Sequence, residues 1–182
     1  LDQLSCHIPD GCVYGLVGAN GAGKSTFLRL ASGVYRPDAG SITLNGEDTF
    51  ENINLKKRFA FVPDEFWALP QSSMARMAKF YASAYDSFSS ERFHALAKEF
   101  GLAIDKPLST FSKGMRRQAA TILALSTMAD YFFFDETFDG LDPVMRNLVK
   151  QKLYAEVFDR GATVIITSHS LRELEDTCDQ LA

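Results

Sequence analysis

The chain has 182 residues, 46% of them hydrophobic, and a formal net charge of -4, values that suit one globular domain with an ordinary core. No apolar run approaches the roughly 20 residues needed to cross a bilayer, and residues 1–9 lack the basic flank and apolar centre of a signal peptide, so the expectation is a soluble, intracellular protein. Mild acidity argues against a broad nucleic-acid footprint, with Lys56-Lys57-Arg58 read as a solvated face, and the three cysteines, Cys6, Cys12 and Cys178, have neither paired nor metal-ligand spacing, which fits reduced thiols.

Residues 1–10 read as a strand-like entry closed by a Pro9-Asp10-Gly11 turn. The run 12–17 is apolar and of buried-strand character, and 25–32 has helical composition ending at Gly33. Between them lies Gly-Ala-Asn-Gly-Ala-Gly-Lys-Ser-Thr at 18–26, which fits the G-x-x-x-x-G-K-[ST] pattern of a phosphate-binding loop. Gly18, Gly21 and Gly23 let the backbone turn with positive φ and bring successive N–H groups close to an anion, with Ala19, Asn20 and Ala22 between them. Lys24 then sets a compact positive charge near β- and γ-phosphates, and the Ser25 hydroxyl can join the shell of Mg²⁺. Thr26 follows in a helix whose positive end points at the same phosphates. A plain tight turn also uses glycines, but it has no need of Lys-Ser between a strand and a helix.

Further along, Arg36-Pro-Asp-Ala-Gly40 makes a turn, and 41–44 alternates polar with apolar as a half-buried strand ended by Asn45-Gly46, part of a small antiparallel side sheet. Residues 59–62 form a buried strand stopped by Pro63. From about 72 to 128 the pattern turns helical, with segments near 73–84, 89–100 and 115–128. In the last, Met115, Ala119, Ile122, Leu123 and Ser126 share one face, read as core packing. The aromatic run 131–134 suits a strand buried on both faces, and it ends in Asp135-Glu136. Asp142 reads as an N-cap and Pro143 as the first residue of a helix ending before Gly161. A buried strand at 163–167 and a helix from Leu171 toward Cys178 close the chain. Strands alternating with helices around a phosphate loop imply a mostly parallel α/β sheet, a P-loop NTPase fold.

Phosphoryl transfer to water needs Mg²⁺ near the β- and γ-phosphates, a group to orient the water, and donors for the developing charge. Asp135, at the end of a buried strand, is placed to hold the metal, and Glu136 to polarise the water. An Asp-Glu pair after a strand is otherwise an ordinary turn.

In this order the motifs resemble those of ABC transporter ATP-binding subunits. The segment 18–25 matches the Walker A loop; Phe111-Ser-Lys-Gly-Met115 resembles the signature segment, usually Leu-Ser-Gly-Gly-Gln; 131–136 matches Walker B and the catalytic glutamate. Asp139-Gly-Leu-Asp142 looks like the D-loop and His169 like the switch histidine. The resemblance implies an ATPase using ATP and Mg²⁺, with Lys24, Glu136 and His169 catalytic and Ser25, Asp135 and Asp64 at the metal. It also implies a second ATP-binding subunit, homologous or identical, so that ATP lies between Walker A of one copy and Ser112 and Gly114 of the other. A separate integral membrane subunit would move the cargo, which places the chain on the cytoplasmic face of the membrane with no nucleic-acid partner. Ser112 equally suits an N-cap, since capping and phosphate binding share one geometry.

Departures are specific. Asp64 stands where the Q-loop glutamine is usual, and Gln71 lies further along. Lys113 replaces a glycine, Met115 the signature glutamine, and Thr137-Phe138 the usual Pro-Thr. The resemblance divides the chain into an ATP-binding core, 1–71 and 129–182, and a helical subdomain, 72–128, trimmed at both ends, with the adenine-stacking aromatic upstream of Leu1. Phe66, Trp67 and Leu69 fall either where the membrane subunit docks or against the helical insertion. The stretch 140–146 is most similar to bacterial ABC-2 type exporters, including the YtrB-like branch. The rival expectations are a non-transport ABC ATPase acting on ribosomes or DNA and a weakly hydrolysing regulatory module.

Overall fold

The structure, a computed structural model, describes residues 1–182. Strand β1 (Val13–Val17) runs through the glycine-rich loop into α1 (Lys24–Ala31). Gly23, at φ 95°, precedes α1, which has no side-chain cap and no acidic residue in its first turn. Its first N–H groups and its positive end are therefore left without a side-chain cap or an acidic residue of the helix's own first turn to compete for them. Strands β2 (Thr43–Leu44) and β3 (Glu47–Asp48) pair antiparallel across Asn45 and Gly46, whose φ values of 52° and 84° are those of a type I′ hairpin turn.

Helix α2 (Ile53–Lys56), capped by Asn52, leads into β4 (Phe59–Val62). Three helices follow, α3 (Met74–Ala84), α4 (Ser90–Glu99) and α5 (Lys113–Ser126), opened by Ser73, Ser89 and Ser112, each of whose hydroxyls accepts a backbone N–H. Such caps satisfy donors that a helix start leaves orphaned. Then come β5 (Tyr131–Phe134), α6 (Pro143–Arg160), β6 (Thr163–Ser168), α7 (Leu171–Glu175) and β7 (Gln180–Leu181). Asp142 caps α6 and Gly161, at φ 67°, ends it.

The main sheet has the order β4-β5-β6-β1-β7, and every pairing in it is parallel. It is therefore the expected α/β fold, with the two-stranded sheet at its side. Residues alternate between faces along each strand. Phe132, Phe134, Val164 and Ile166 join α3 to α6 in the larger core, whereas Tyr14, Phe59, Tyr131, Phe133 and Ile165 meet α1 and α2 on the other face. Because the strands are parallel, the C-terminal ends of β1, β5 and β6 open on one edge. That edge receives the glycine-rich loop, Asp135-Glu136 and His169 together.

Four expectations need correction. Residues 1–10 form no strand: Leu1 and Leu4 stay exposed, and β2 and β3 pair only with each other, so no ladder receives the segment. The half-buried strand expected at 41–44 is only Thr43–Leu44 for the same reason. Helix α5, expected to bury one stripe, is buried all round from Arg117 to Ser126, because α3, α4, α6 and β4 surround it; the small side chains of Ala120 and Ala124, outside the expected stripe, allow that approach. The helix expected to reach toward Cys178 ends at Glu175, and β7 takes up the chain beside β1.

Candidate active site

The site begins with the backbone. Gly18 N–H donates to Ser168 O at 3.3 Å, fastening the loop to the end of β6, and Ala22 N–H closes a turn onto Ala19 O at 3.1 Å. Gly21 and Gly23 have φ of 84° and 95°, conformations that a side chain with Cβ resists. Lys24 Nζ donates to Gly18 O at 2.6 Å and to Ala19 O at 3.3 Å, which folds the ammonium back over the loop. Asn20 and Gly21 lie exposed at its rim, and Thr26 sits half-buried in the first turn of α1.

Asp135 directly follows β5, fully buried. Its Oδ1 accepts from Ser25 Oγ at 3.0 Å and from Thr167 Oγ1 at 2.9 Å, and Oδ2 is buried with no partner. A buried carboxylate oxygen without a partner carries a desolvation cost, and a divalent cation beside Ser25 would remove it. The donor set is one hydroxyl and one carboxylate, hard oxygen ligands of the kind Mg²⁺ selects while keeping several waters. The residues fit the ion.

Glu136 follows in the left-handed region, φ 49°. Its N–H donates to Thr167 Oγ1 at 3.0 Å. Its Oε1 lies 3.1 Å from Lys24 Nζ, and its Oε2 accepts from His169 N–H at 3.2 Å and faces His169 Nδ1 at 3.0 Å. Lys24, Ser25, Asp135, Glu136 and His169 thus form one connected cluster, drawn from α1 and from the ends of β5 and β6. Thr167 joins its two carboxylate residues and was missed in the sequence, where it looks like one more β-branched strand residue.

Ser112 and Gly114 stand apart from that cluster. Ser112 is exposed and caps α5 by accepting from Met115 N–H at 3.2 Å. Gly114 does allow a close approach, but within this chain its neighbour is Gly140: a Cβ on Gly114 would lie 2.8 Å from Gly140 O. Lys113 Nζ reaches Asp139 at 2.6 Å. That hydrogen bond, ahead of the charges of Lys113, Arg117 and His169 and against the effect of burial, holds the Asp139 carboxyl below the usual range.

Asp64 pairs with Arg117, and no hydrogen bond joins it to Ser25 or Asp135. Gln71 is exposed. Phe66 and Leu69 are half-buried against the larger core, whereas Trp67 is exposed and borders a cavity of about 280 Å³ whose wall is apolar, with Phe61, Phe80, Tyr81 and Tyr85 around it. In the basic run, Lys57 pairs with Asp86 and Arg58 with Asp130, which leaves little of a cationic patch.

Comparison with known proteins identifies the family. The family profile described as "ABC transporter" matches residues 1–139. The daunorubicin/doxorubicin resistance ATP-binding protein DrrA of Streptomyces peucetius is 33% identical over the whole of this chain and 57% of its own length. The ABC transporter ATP-binding protein YtrB of Bacillus subtilis is 26% identical, again over the whole chain and 62% of its own length. The chain therefore spans less than two thirds of these relatives. A solved ATP-binding subunit of an ABC transporter superposes with a TM-score of 0.83 and 27% identity, covering 93% of this chain and 73% of that one.

Proposed function

Because this chain belongs to the ABC transporter family, whose profile it matches over most of its length, we propose that it binds ATP with Mg²⁺ and hydrolyses it to ADP and phosphate as the nucleotide-binding subunit of a transporter. The observation that carries this reading is the unpartnered Asp135 Oδ2 beside Ser25, next to a lysine and a glutamate in contact.

In this reading the N–H groups of 18–25 and the positive end of α1 hold the phosphates, and Lys24 leaves Glu136 for the γ-phosphate. Ser25 and Asp135 would hold Mg²⁺, which when bound neutralises charge on the β- and γ-phosphoryl oxygens. Glu136, released from Lys24, orients a water and takes its proton. The water oxygen attacks the γ-phosphorus, the bond to the β–γ bridging oxygen breaks, and ADP leaves. His169, now in contact with Glu136, turns to a γ-phosphate oxygen. Thr167 keeps Asp135 and the Glu136 peptide in register throughout.

The site is shared with a second subunit, whose exposed Ser112 and half-buried Gly114 face the nucleotide from the other side. Binding closes the pair and hydrolysis reopens it. An integral membrane subunit docks over Trp67 and the apolar cavity, one wall of which, Phe80, Tyr81 and Tyr85, belongs to the helical unit 72–128 that also carries Ser112 and Gly114, so that the chain works on the cytoplasmic face of a membrane. Likeness to DrrA and YtrB favours an exporter of the ABC-2 type. The paired state of Lys57 and Arg58 gives the ribosome or DNA reading no support.

The test is sedimentation of the full chain with and without MgATP, together with phosphate release. Nucleotide-dependent dimers that turn over ATP are expected. A chain that stays monomeric and releases no phosphate, even with its membrane partner present, overturns the proposal.

A further inference from the structure

Arg117 is only 4% exposed, in the second turn of α5. Its Nη1 donates to Glu136 O at 2.6 Å and reaches Asp135 O at 3.4 Å; its Nη2 pairs with Asp64 and lies 3.6 Å from Asp139 Oδ2. One guanidinium therefore gathers the loop after β4, the end of β5 and the segment after Glu136. The carbonyl it grips most closely belongs to the residue with φ 49°, a conformation that a glutamate holds only when its surroundings impose it. Together with the Thr167 contact to its N–H, this fixes both ends of the Glu136 backbone, and so the direction of its carboxylate.

Asp64 is half-exposed, 52% for its side chain, and it supplies the directional partner of that buried cation. An arginine fork holds two sets of acceptors only when both are in place, and removing its carboxylate leaves a buried charge with carbonyls and a more distant aspartate. Resting on the ATPase reading above, we infer that Asp64 and Arg117 act as a single positioning unit for Glu136, and that the Asp64 carboxylate serves Arg117 rather than a metal ion. Asp64 thereby has a role in the reaction that a metal ligand at the same position would not reproduce, because it acts through the backbone of the residue that receives the proton.

The two roles separate in steady-state kinetics of the full chain, varied in ATP and in Mg²⁺, for Asp64→Asn, Arg117→Gln, Arg117→Lys and the double variant Asp64→Asn/Arg117→Gln. Binding of a trinitrophenyl-ATP probe is measured on the same samples. Asp64→Asn and Arg117→Gln are each expected to lower kcat about tenfold, and the double variant to fall no more than about twofold further, since residues acting as a unit are not additive. KM for ATP and the Mg²⁺ concentration for half-maximal rate are expected to stay within about twofold of wild type. Arg117→Lys, which lacks the fork, restores only part of the loss. Multiplicative losses in the double variant overturn the inference, as does an Asp64→Asn protein whose kcat recovers fully at high Mg²⁺. Should Arg117→Gln not fold by circular dichroism, Asp64→Asn alone decides, because its carboxylate is at the surface and the split between kcat and Mg²⁺ requirement is read on that variant. A wild-type chain that does not bind the probe fails the ATPase reading itself, an outcome visible before any variant is compared.

Discussion

Lys24 Nζ lies 3.1 Å from Glu136 Oε1, with the two side chains 9% and 15% exposed. The cation expected to serve a phosphate is thus neutralised by the carboxylate expected to activate water. On the proposed reading, a γ-phosphate entering the loop would compete with Glu136 for Lys24, and displacing that carboxylate would free it to meet a water. The pair keeps both charges compensated in a site with little solvent screening.

Glu136→Gln removes the competitor and the proton acceptor together. Nucleotide affinity is expected to hold or rise, because Lys24 no longer faces a carboxylate, while turnover falls by about 10² to 10⁴, the usual worth of a general base. Equilibrium binding of ATP and phosphate release, measured on one preparation, check both halves. Unchanged turnover would contradict the role given to Glu136.

Thr167→Val keeps the shape of the strand and deletes a hydroxyl that donates to Asp135 and accepts from Glu136 N–H. The Glu136 N–H loses its acceptor, which costs about 1–3 kcal/mol of stability, and kcat is expected to fall about tenfold by the loss of positioning. Thr167→Ser, which restores the hydroxyl, should recover most of the rate. Urea denaturation and steady-state kinetics read the two effects separately.

Much of this was legible beforehand where the signal is local. The aromatic run of β5, the Asn45-Gly46 turn, the Asp142-Pro143 start and Gly161 end of α6, and Lys24-Ser25 after the glycines are contiguous patterns tied to one backbone geometry each. Arg117 was not legible: its partner Asp64 is 53 residues away, and an arginine in the second turn of a helix ordinarily points to water. Thr167 was hidden for a related reason, since β-branched residues populate every buried strand and only the neighbouring strand makes its hydroxyl useful. Strand β7, at two residues, is too short to show any period.

Chelation of Mg²⁺ is expected to stop phosphate release, and added Mg²⁺ to restore it. Asp135→Asn keeps the size of the side chain and removes the charge beside Ser25, so it should raise the Mg²⁺ concentration for half-maximal rate about tenfold or more. A metal titration of phosphate release checks this. Identical metal curves for the wild type and Asp135→Asn would remove Asp135 from the metal site.

Away from the site, Glu156 of α6 is fully buried between Arg92 of α4 and Arg160, which are 26% and 21% exposed. Burial lowers the pKa of both arginines, and Arg160 Nη2 also donates to Met128 O at 2.5 Å. Glu156→Ala leaves two desolvated cations facing each other, and stability is expected to fall by about 3 kcal/mol, as when one partner of a buried ion pair is removed. The urea midpoint measures it. A midpoint within the error of wild type would show that the carboxylate adds nothing to the junction of α4 and α6.

The central claim is that the glycine-lined loop and Lys24 grip a magnesium-bound triphosphate. Calorimetric titration of the full chain and of Lys24→Ala with ATP, each with and without Mg²⁺, tests it most directly. Saturable, Mg²⁺-dependent binding by the wild type is expected, weakened at least about tenfold by loss of the charged contact to phosphate. No binding by the wild type, or equal binding by Lys24→Ala, would contradict it.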